Sequence, residues 1–223
     1  MLRVFIGYDS REAQAYHVLC QSLIKHASGP LAITPLVQPA LRATGIYHRS
    51  VDFKASTEFS LTRFLVPYLC NYEGLAIFMD CDMLCQRDIY DIIPPTSAAV
   101  SCVQHDYTPS TSIKMDGCQQ SFYPRKNWSS VMVFNNEKCR SLSLDYVNEA
   151  SPSDLHQMVW AESIYPLDPT WNWLVGEYTP NPDAALLHYT LGGPWFETCP
   201  DNNETQRWTE ACHSIYSKKT ALA

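Results

Sequence analysis

The chain has 223 residues, 46% hydrophobic and 17% charged, with a formal net charge of −7. That length suits one domain over residues 1–223 with a sizeable core. The acidic balance argues against a general nucleic-acid binder, and the longest apolar runs are of strand length, so no transmembrane segment is expected.

The N-terminal "MLRVFIGYDS" reads as a first strand, too short in its apolar run for a signal peptide. Arg11 to Ala27 follows as a helix, with Ser10 as its cap and Ala15, Val18, Leu19, Ser22, Leu23 and His26 on one face. Leu31 to Val37 is a second strand. The next twenty residues, "QPALRATGIYHRSVDFKAST", have no period and read as loop. "EFSLTRFLVPYLCNY" is helical, interrupted or ended near Pro67. Leu75 to Met79 is a buried strand running into Asp80-Cys81-Asp82, and Asp88 to Ile93 is a short helix or turn. Ser97 to Val103 is another strand. Gln104 to Asn127 is long and polar, which predicts a mobile lid or an acceptor wall. Trp128 to Asn135 is a strand, Asn136 to Ala150 is helical, and a further helix starts at Pro152 after Ser151. "AALLHYT" is a late strand before a Gly-Gly-Pro turn, and Gln206 to Lys218 is a closing helix. Strands alternating with helices predict a Rossmann-like, mostly parallel twisted sheet flanked by helices. Ligands of such sheets bind beyond the carboxyl ends of the strands. Tyr8, Asp9, the Asp80–Asp82 stretch and His188 all fall at such ends.

Nine cysteines, an odd number with no Cys-x-x-Cys pair, argue against a disulfide scaffold or a zinc ribbon. Reduced, mostly buried thiols fit a cytoplasmic protein.

Two carboxylates at i and i+2 of a strand share a face, about 7 Å apart, and repel unless a positive group sits with them. A solvated strand cap is the plain reading. A haloacid-dehalogenase-like phosphatase would carry the motif on its first strand, with Thr or Val where Leu84 stands. Glycosidase carboxylates usually come from different elements. A further reading is a hard divalent cation held by the Asp80 and Asp82 oxygens and itself gripping a diphosphate; a lone strand-end histidine such as His188 is by itself more often structural.

The block "EFSLTRFLVPYLCNYEGLAIFMDCDMLCQRDIYDI" resembles the central segment of glycosyltransferase family 8: an Arg-bearing helix, a Pro, a strand, Asp-x-Asp, then an Asp opening a short helix. "RVFIGYDS", "NWSSVMVFNN", "HQM" with "LDPTWN", and "HYTLGGPW" are similar to further blocks of that family, in order, over most of residues 2 to 196. The resemblance implies a GT-A fold and a hexosyltransferase using manganese, or magnesium, with a nucleotide-sugar donor, UDP-linked, and a carbohydrate or glycoconjugate acceptor. Retention of anomeric configuration is implied in the same way, and peripheral membrane contact is compatible with it. It places Tyr8 and Asp9 on the base and ribose, and Arg63, Asp80 and Cys81 at the donor. His156 falls at the sugar hydroxyls, Gln157 beside the anomeric carbon, Gly192 and Gly193 on the diphosphate, and, in its Gly-Gly-Pro-Trp context, His188 joins Asp80 and Asp82 on the metal. Gln157, Asp80 and Arg63 are the implied catalytic set. The chain departs from the family at Gly193, where a Lys is usual, at His156, where an Asp is usual, and at Trp128-Ser129-Ser130, where Asn-x-Gly is usual. A sugar nucleotidyltransferase and a non-catalytic nucleotide-sugar module are the alternatives.

Overall fold

A computed structural model describes residues 1–50, 56–114, 117–119, 123–197, 199 and 203–216. The first strand, β1 (Leu2–Gly7), is buried along most of its length. Gly7 ends it with no room for a side chain, because a Cβ there would lie 2.2 Å from the Phe59 ring. The next turn is capped by Asp9, whose carboxylate accepts from Arg11 N, and not by the expected Ser10. The Ser10 hydroxyl instead bonds to Glu58. Helix α1 (Ala13–His26) then buries Ala15, Val18, Leu19, Ser22 and Leu23, five of the six positions its periodicity predicts.

Strand β2 (Leu31–Leu36) leads to α2 (Gln38–Ala43), within the stretch read as loop. Pro39 stands where a missing N–H costs a helix nothing, and no residue of α2 is buried, so no apolar period announces it. Part of that predicted loop, residues 51–55, lies outside the described residues. The expected helix around Pro67 is a 3-10 turn, Thr62–Leu65, followed by the short α3 (Val66–Leu69), whose first turn Pro67 occupies. Strand β3 (Leu75–Met79) and the short β4 (Met83–Cys85) flank the Asp-Cys-Asp stretch, and Asp88 caps a 3-10 turn at Ile89–Ile92.

After β5 (Val100–Cys102) comes the polar segment Gln104–Asn127. It contains a small hairpin, β6 (Ile113–Lys114) with β7 (Cys118–Gln119), and its residues 115–116 and 120–122 lie outside the described residues. Strand β8 (Val131–Asn135) follows. The helix expected over Asn136–Ala150 is a 3-10 turn at Asn136–Lys138 and then α4 (Leu144–Glu149), capped by Ser143. Helix α5 (Pro152–His156) starts as predicted, with Ser151 accepting from Asp154 N. Strands β9 (Ile164–Pro166), β10 (Trp173–Leu174) and β11 (Leu186–His188) precede the closing helix α6 (Asn203–Tyr216). The last predicted helical residues, Ser217 and Lys218, lie outside the described residues.

The main sheet has six strands in the order β2-β1-β3-β8-β5-β9. β1 pairs in parallel with β2 and β3, and β5 with β9, while β8 runs antiparallel to both its neighbours. The sheet is therefore mostly parallel, as the alternation of elements predicts. A second sheet, β10-β11-β4, stacks His188 opposite Met83. The principal core lies around the large sheet. A smaller one joins Val18 of α1, Leu84, Leu187 and Tyr189 to Trp208 and Cys212 of α6. Among the described residues no helix is long and apolar enough to cross a membrane.

Candidate active site

The chain leaves the large sheet at Met79 and enters the small one at Met83, so Asp80-Cys81-Asp82 is the junction between them. Asp80 N donates to Ser130 O at 2.9 Å, and Tyr189 N donates to Asp82 O at 2.9 Å. These bonds bring three distant segments to one point. Ligand atoms of Asp80, Asp82 and His188 all lie within 4.8 Å of one another.

Each carboxylate has its own surroundings. Asp80 Oδ1 is 2.9 Å from Arg63 Nη1, in a pair whose side chains are only 13% and 6% exposed. The same nitrogen donates to Ser129 O at 2.9 Å, and the guanidinium lies 5.3 Å and 5.0 Å from the ring centroids of Phe59 and Phe78. Arg63 is thus a buried, committed cation and not a solvated helix residue. Asp82 Oδ1 is buried with no hydrogen-bond partner among the described residues, while Oδ2 faces His188 Nε2 at 3.4 Å.

His188 is oriented from behind. Asn172 spends its amide protons on Ser130 Oγ and Asn127 O, so its Oδ1 accepts the Nδ1 proton of His188 at 2.8 Å. Nε2 is then left with a lone pair turned toward a carboxylate oxygen. Two acceptors face each other in that way only with a second proton or a cation between them. A histidine whose outer nitrogen is held by an amide carbonyl is the usual support of a metal ligand. The donor set, two carboxylates and one imidazole, suits a divalent ion of the manganese or magnesium type.

The triad opens into a cleft of about 490 Å3, part of it open to solvent. Ser56, Thr57, Ser60, Asn127, Ser129 and Ser130 line its wall, with Tyr123, His156 and Thr190. Among the described residues, Arg63 is the one Lys or Arg in that wall. His156 shares a hydrogen bond with Ser129 Oγ through Nδ1 at 2.9 Å and packs edge-on against Phe64. Burial, with Arg63's charge adding to it, pushes the His156 pKa down to about 3, so the ring is neutral at ordinary pH.

The other predicted residues lie outside this wall. Tyr8 packs edge-on against Tyr16. Asp9 is fully buried and accepts from Arg11 N, Nε and Nη2 and from Glu58 N. Cys81 is buried, its thiol pointing to Glu12. The Gln157 amide donates to Ser153 Oγ at 2.7 Å, and the residue borders a separate depression with Arg125 and Glu162. Gly192 has a φ of +99°, and Gly193 is packed under the Trp195 ring, 2.1 Å from where a Cβ would stand. The structure therefore joins Arg63, Asp80, Asp82, His156 and His188, and leaves Gln157 apart from them.

Two residues escaped sequence reasoning. Asn172 lies in "LDPTWN", so its motif gave a signal. Glu12 gave none, because an acid in the first turn of a helix looks ordinary. It is fully buried. Burial first, then the charges of Asp82 and Asp9, push its pKa up to about 9.

The architecture is that of the GT-A glycosyltransferase fold. Three solved structures share it at low sequence identity. The bifunctional glycosyltransferase WbbM matches with a TM-score of 0.63 at 17% identity, covering 96% of this chain and 51% of its own. Glycosyltransferase GlyE of Streptococcus pneumoniae TIGR4 matches with 0.63 at 15%, over 95% and 61%. The galactosyltransferase LgtC, solved with donor and acceptor sugar analogues, matches with 0.60 at 11%, over 98% of both chains. The chain thus spans about half of WbbM and less than two thirds of GlyE. No family model matches the sequence. Protein CDI of Arabidopsis thaliana is 42% identical over 217 residues, covering 92% of this chain and 84% of that protein. The chain belongs to the Protein CDI family.

Proposed function

We propose that the chain is a metal-dependent glycosyltransferase that moves a hexose from a nucleotide sugar, UDP-linked, to a hydroxyl of a carbohydrate or glycoconjugate acceptor. The observation that carries this reading is the Asp80–Asp82–His188 cluster in a GT-A fold, its histidine oriented by a hydrogen bond to Asn172. The family 8 resemblance of the motifs around Arg63, Asp80 and His188 supports the UDP-sugar donor and retention. The thiols of Cys20, Cys70, Cys81, Cys85, Cys102, Cys139 and Cys212, none in a disulfide, support a cytoplasmic setting.

Asp80, Asp82 and His188 would hold the divalent ion, which when bound neutralises charge on a departing diphosphate. The remaining work falls to the chain's own groups. Arg63 fixes Asp80 and supplies a rigid fork at the cleft floor. Neutral His156 can donate or accept one hydrogen bond without adding charge, which suits a sugar hydroxyl. The serine and threonine residues lining the cleft offer further donors and acceptors to an acceptor sugar. Gln157 is a weak nucleophile and its amide is engaged by Ser153. Attack on the same face as departure, without a covalent enzyme intermediate, is the route we favour.

The test is UDP release from a panel of UDP-sugars, with manganese and with chelator, alongside thermal shift with UDP. Manganese-dependent release with one donor supports the reading. Binding without release from any donor points to a non-catalytic module. Absence of both release and binding refutes the reading.

A further inference from the structure

We infer that Glu12 is a positioning residue. It ties the Gly192–Trp195 turn to the centre of Asp80-Cys81-Asp82, so that both meet a nucleoside diphosphate as one preformed surface. The inference rests on the nucleotide-sugar reading above and adds a residue to it.

Glu12 is fully buried at the head of α1, and the charged groups that bear on it, Asp82, Asp9 and Asp80, are all acidic. An acid so placed is costly unless its oxygens are used. Both are. Oε1 accepts from Trp195 Nε1 at 3.2 Å, and Oε2 lies 3.7 Å from Cys81 Sγ, whose thiol can donate to it. The side chain therefore bridges the middle of the Asp-x-Asp segment and the turn 183 residues further on.

The Trp195 end of this strut controls the turn. Its ring occupies the space beside Gly193 where a Cβ would fall, 2.1 Å away, so ring and backbone move together. The ring is wedged against Tyr189 and Trp208, with centroids 5.9 Å and 5.2 Å away. A second tie runs through the backbone: Gly192 N donates to Tyr189 O, and Tyr189 N donates to Asp82 O. Loss of the Glu12 bond should therefore loosen the turn without releasing the carboxylate pair. In this arrangement the central cysteine of the Asp-x-Asp segment serves as a small buried donor, and Gly193 serves as the floor for an indole.

The experiment measures dissociation constants by calorimetry for manganese alone and for UDP and GDP in saturating manganese, with melting temperatures recorded in parallel. Glu12→Leu and Trp195→Phe should each weaken UDP binding by about tenfold, the scale of one lost buried hydrogen bond, and leave manganese binding within about twofold. The double variant should bind no more weakly than the weaker single one, because both changes cut one strut. Glu12→Gln, which keeps a carbonyl acceptor for the indole, should recover most of the loss relative to Glu12→Leu. Should Glu12→Leu fail to fold, Trp195→Phe and Glu12→Gln carry the comparison. A melting-temperature change with unaltered UDP affinity, or additive effects in the double variant, would reduce Glu12 to a packing residue and overturn the inference alone. A wild-type chain that binds neither nucleotide overturns the nucleotide-sugar reading, and the inference with it.

Discussion

Arg63 offers a direct test of how the site tolerates its own charge. Its guanidinium and the Asp80 carboxylate are 2.9 Å apart with 6% and 13% of their side chains exposed, so solvent screens the pair weakly. Arg63→Met keeps the aliphatic volume between Phe59 and Phe78 but strands a carboxylate at the cleft floor. A broken buried pair costs about 3–5 kcal/mol. Arg63→Lys keeps the charge but loses the fork and the stacking. It should cost about 1–2 kcal/mol in stability and lower catalytic efficiency by roughly tenfold or more. Asp80→Asn in the Arg63→Met background removes the stranded charge, and the pair should show a coupling energy of about 2–3 kcal/mol. Urea denaturation in chelator, with a constant dependence on urea across wild type and the four variants, gives the stability values, and steady-state kinetics gives the loss of efficiency. A coupling below about 0.5 kcal/mol would mean that Asp80 is solvated and that Arg63 does not stabilise it.

Three further outcomes follow from the same geometry. Asp82→Asn should lower turnover by at least roughly a hundredfold across a manganese titration, whereas Asp88→Asn, at a surface cap bonded to Tyr90 N and Ser28 N, should leave turnover near wild type. Burial raises the Asp9 pKa, but the hydrogen bonds from Arg11 and Glu58 outweigh it and hold the carboxyl below its ordinary value. The stability that Asp9 provides is therefore present above the ordinary carboxylate range and lost as pH falls through the lowered value. The gap between wild type and Asp9→Asn in urea midpoints should accordingly narrow toward acid. Asn172→Leu should weaken manganese binding by about 10–100-fold by freeing the His188 ring, measured by calorimetry with melting temperature as the control.

The legible parts of this chain were those with a repeating or chemically unusual pattern. The buried strand before Asp80, the apolar face of α1 and the Ser151–Pro152 helix start could all be read from period or cap. The short strands β4 and β10 span too few residues to show a period, yet they build the second sheet that carries His188 beside Asp82. Helix α2 buries none of its residues and so has no apolar stripe. The Asp80–Asp82–His188 cluster was readable because Asp80 follows one apolar strand and His188 ends another, with Asp82 two positions after Asp80. The Arg63–Asp80 pair was not, since nothing in sequence says whether an arginine faces solvent or a carboxylate seventeen positions on. Gln157 shows the converse: a motif implies a place beside the chemistry, while its amide bonds to Ser153 and the residue borders a separate depression.

Two like charges at the end of a buried strand need a resolution, and this fold collects four acids in one neighbourhood. Each of three is settled by a different device. Asp9 is held by Arg11 and the Glu58 amide. Asp80 has Arg63. Glu12 is held by Trp195 Nε1 and the Cys81 thiol, and burial, then Asp82, pushes its pKa up to about 9. Asp82 has none of these, and its Oδ1 is buried without a hydrogen-bond partner among the described residues. Its other oxygen faces an imidazole nitrogen whose ring proton is already committed to Asn172 on the far side. A cation in contact with Asp82 would satisfy the unpaired oxygen, separate it from the imidazole lone pair and lower the repulsion felt by Asp80 and Glu12. Of the four acids, Asp82 is therefore the one on which metal affinity should depend most steeply.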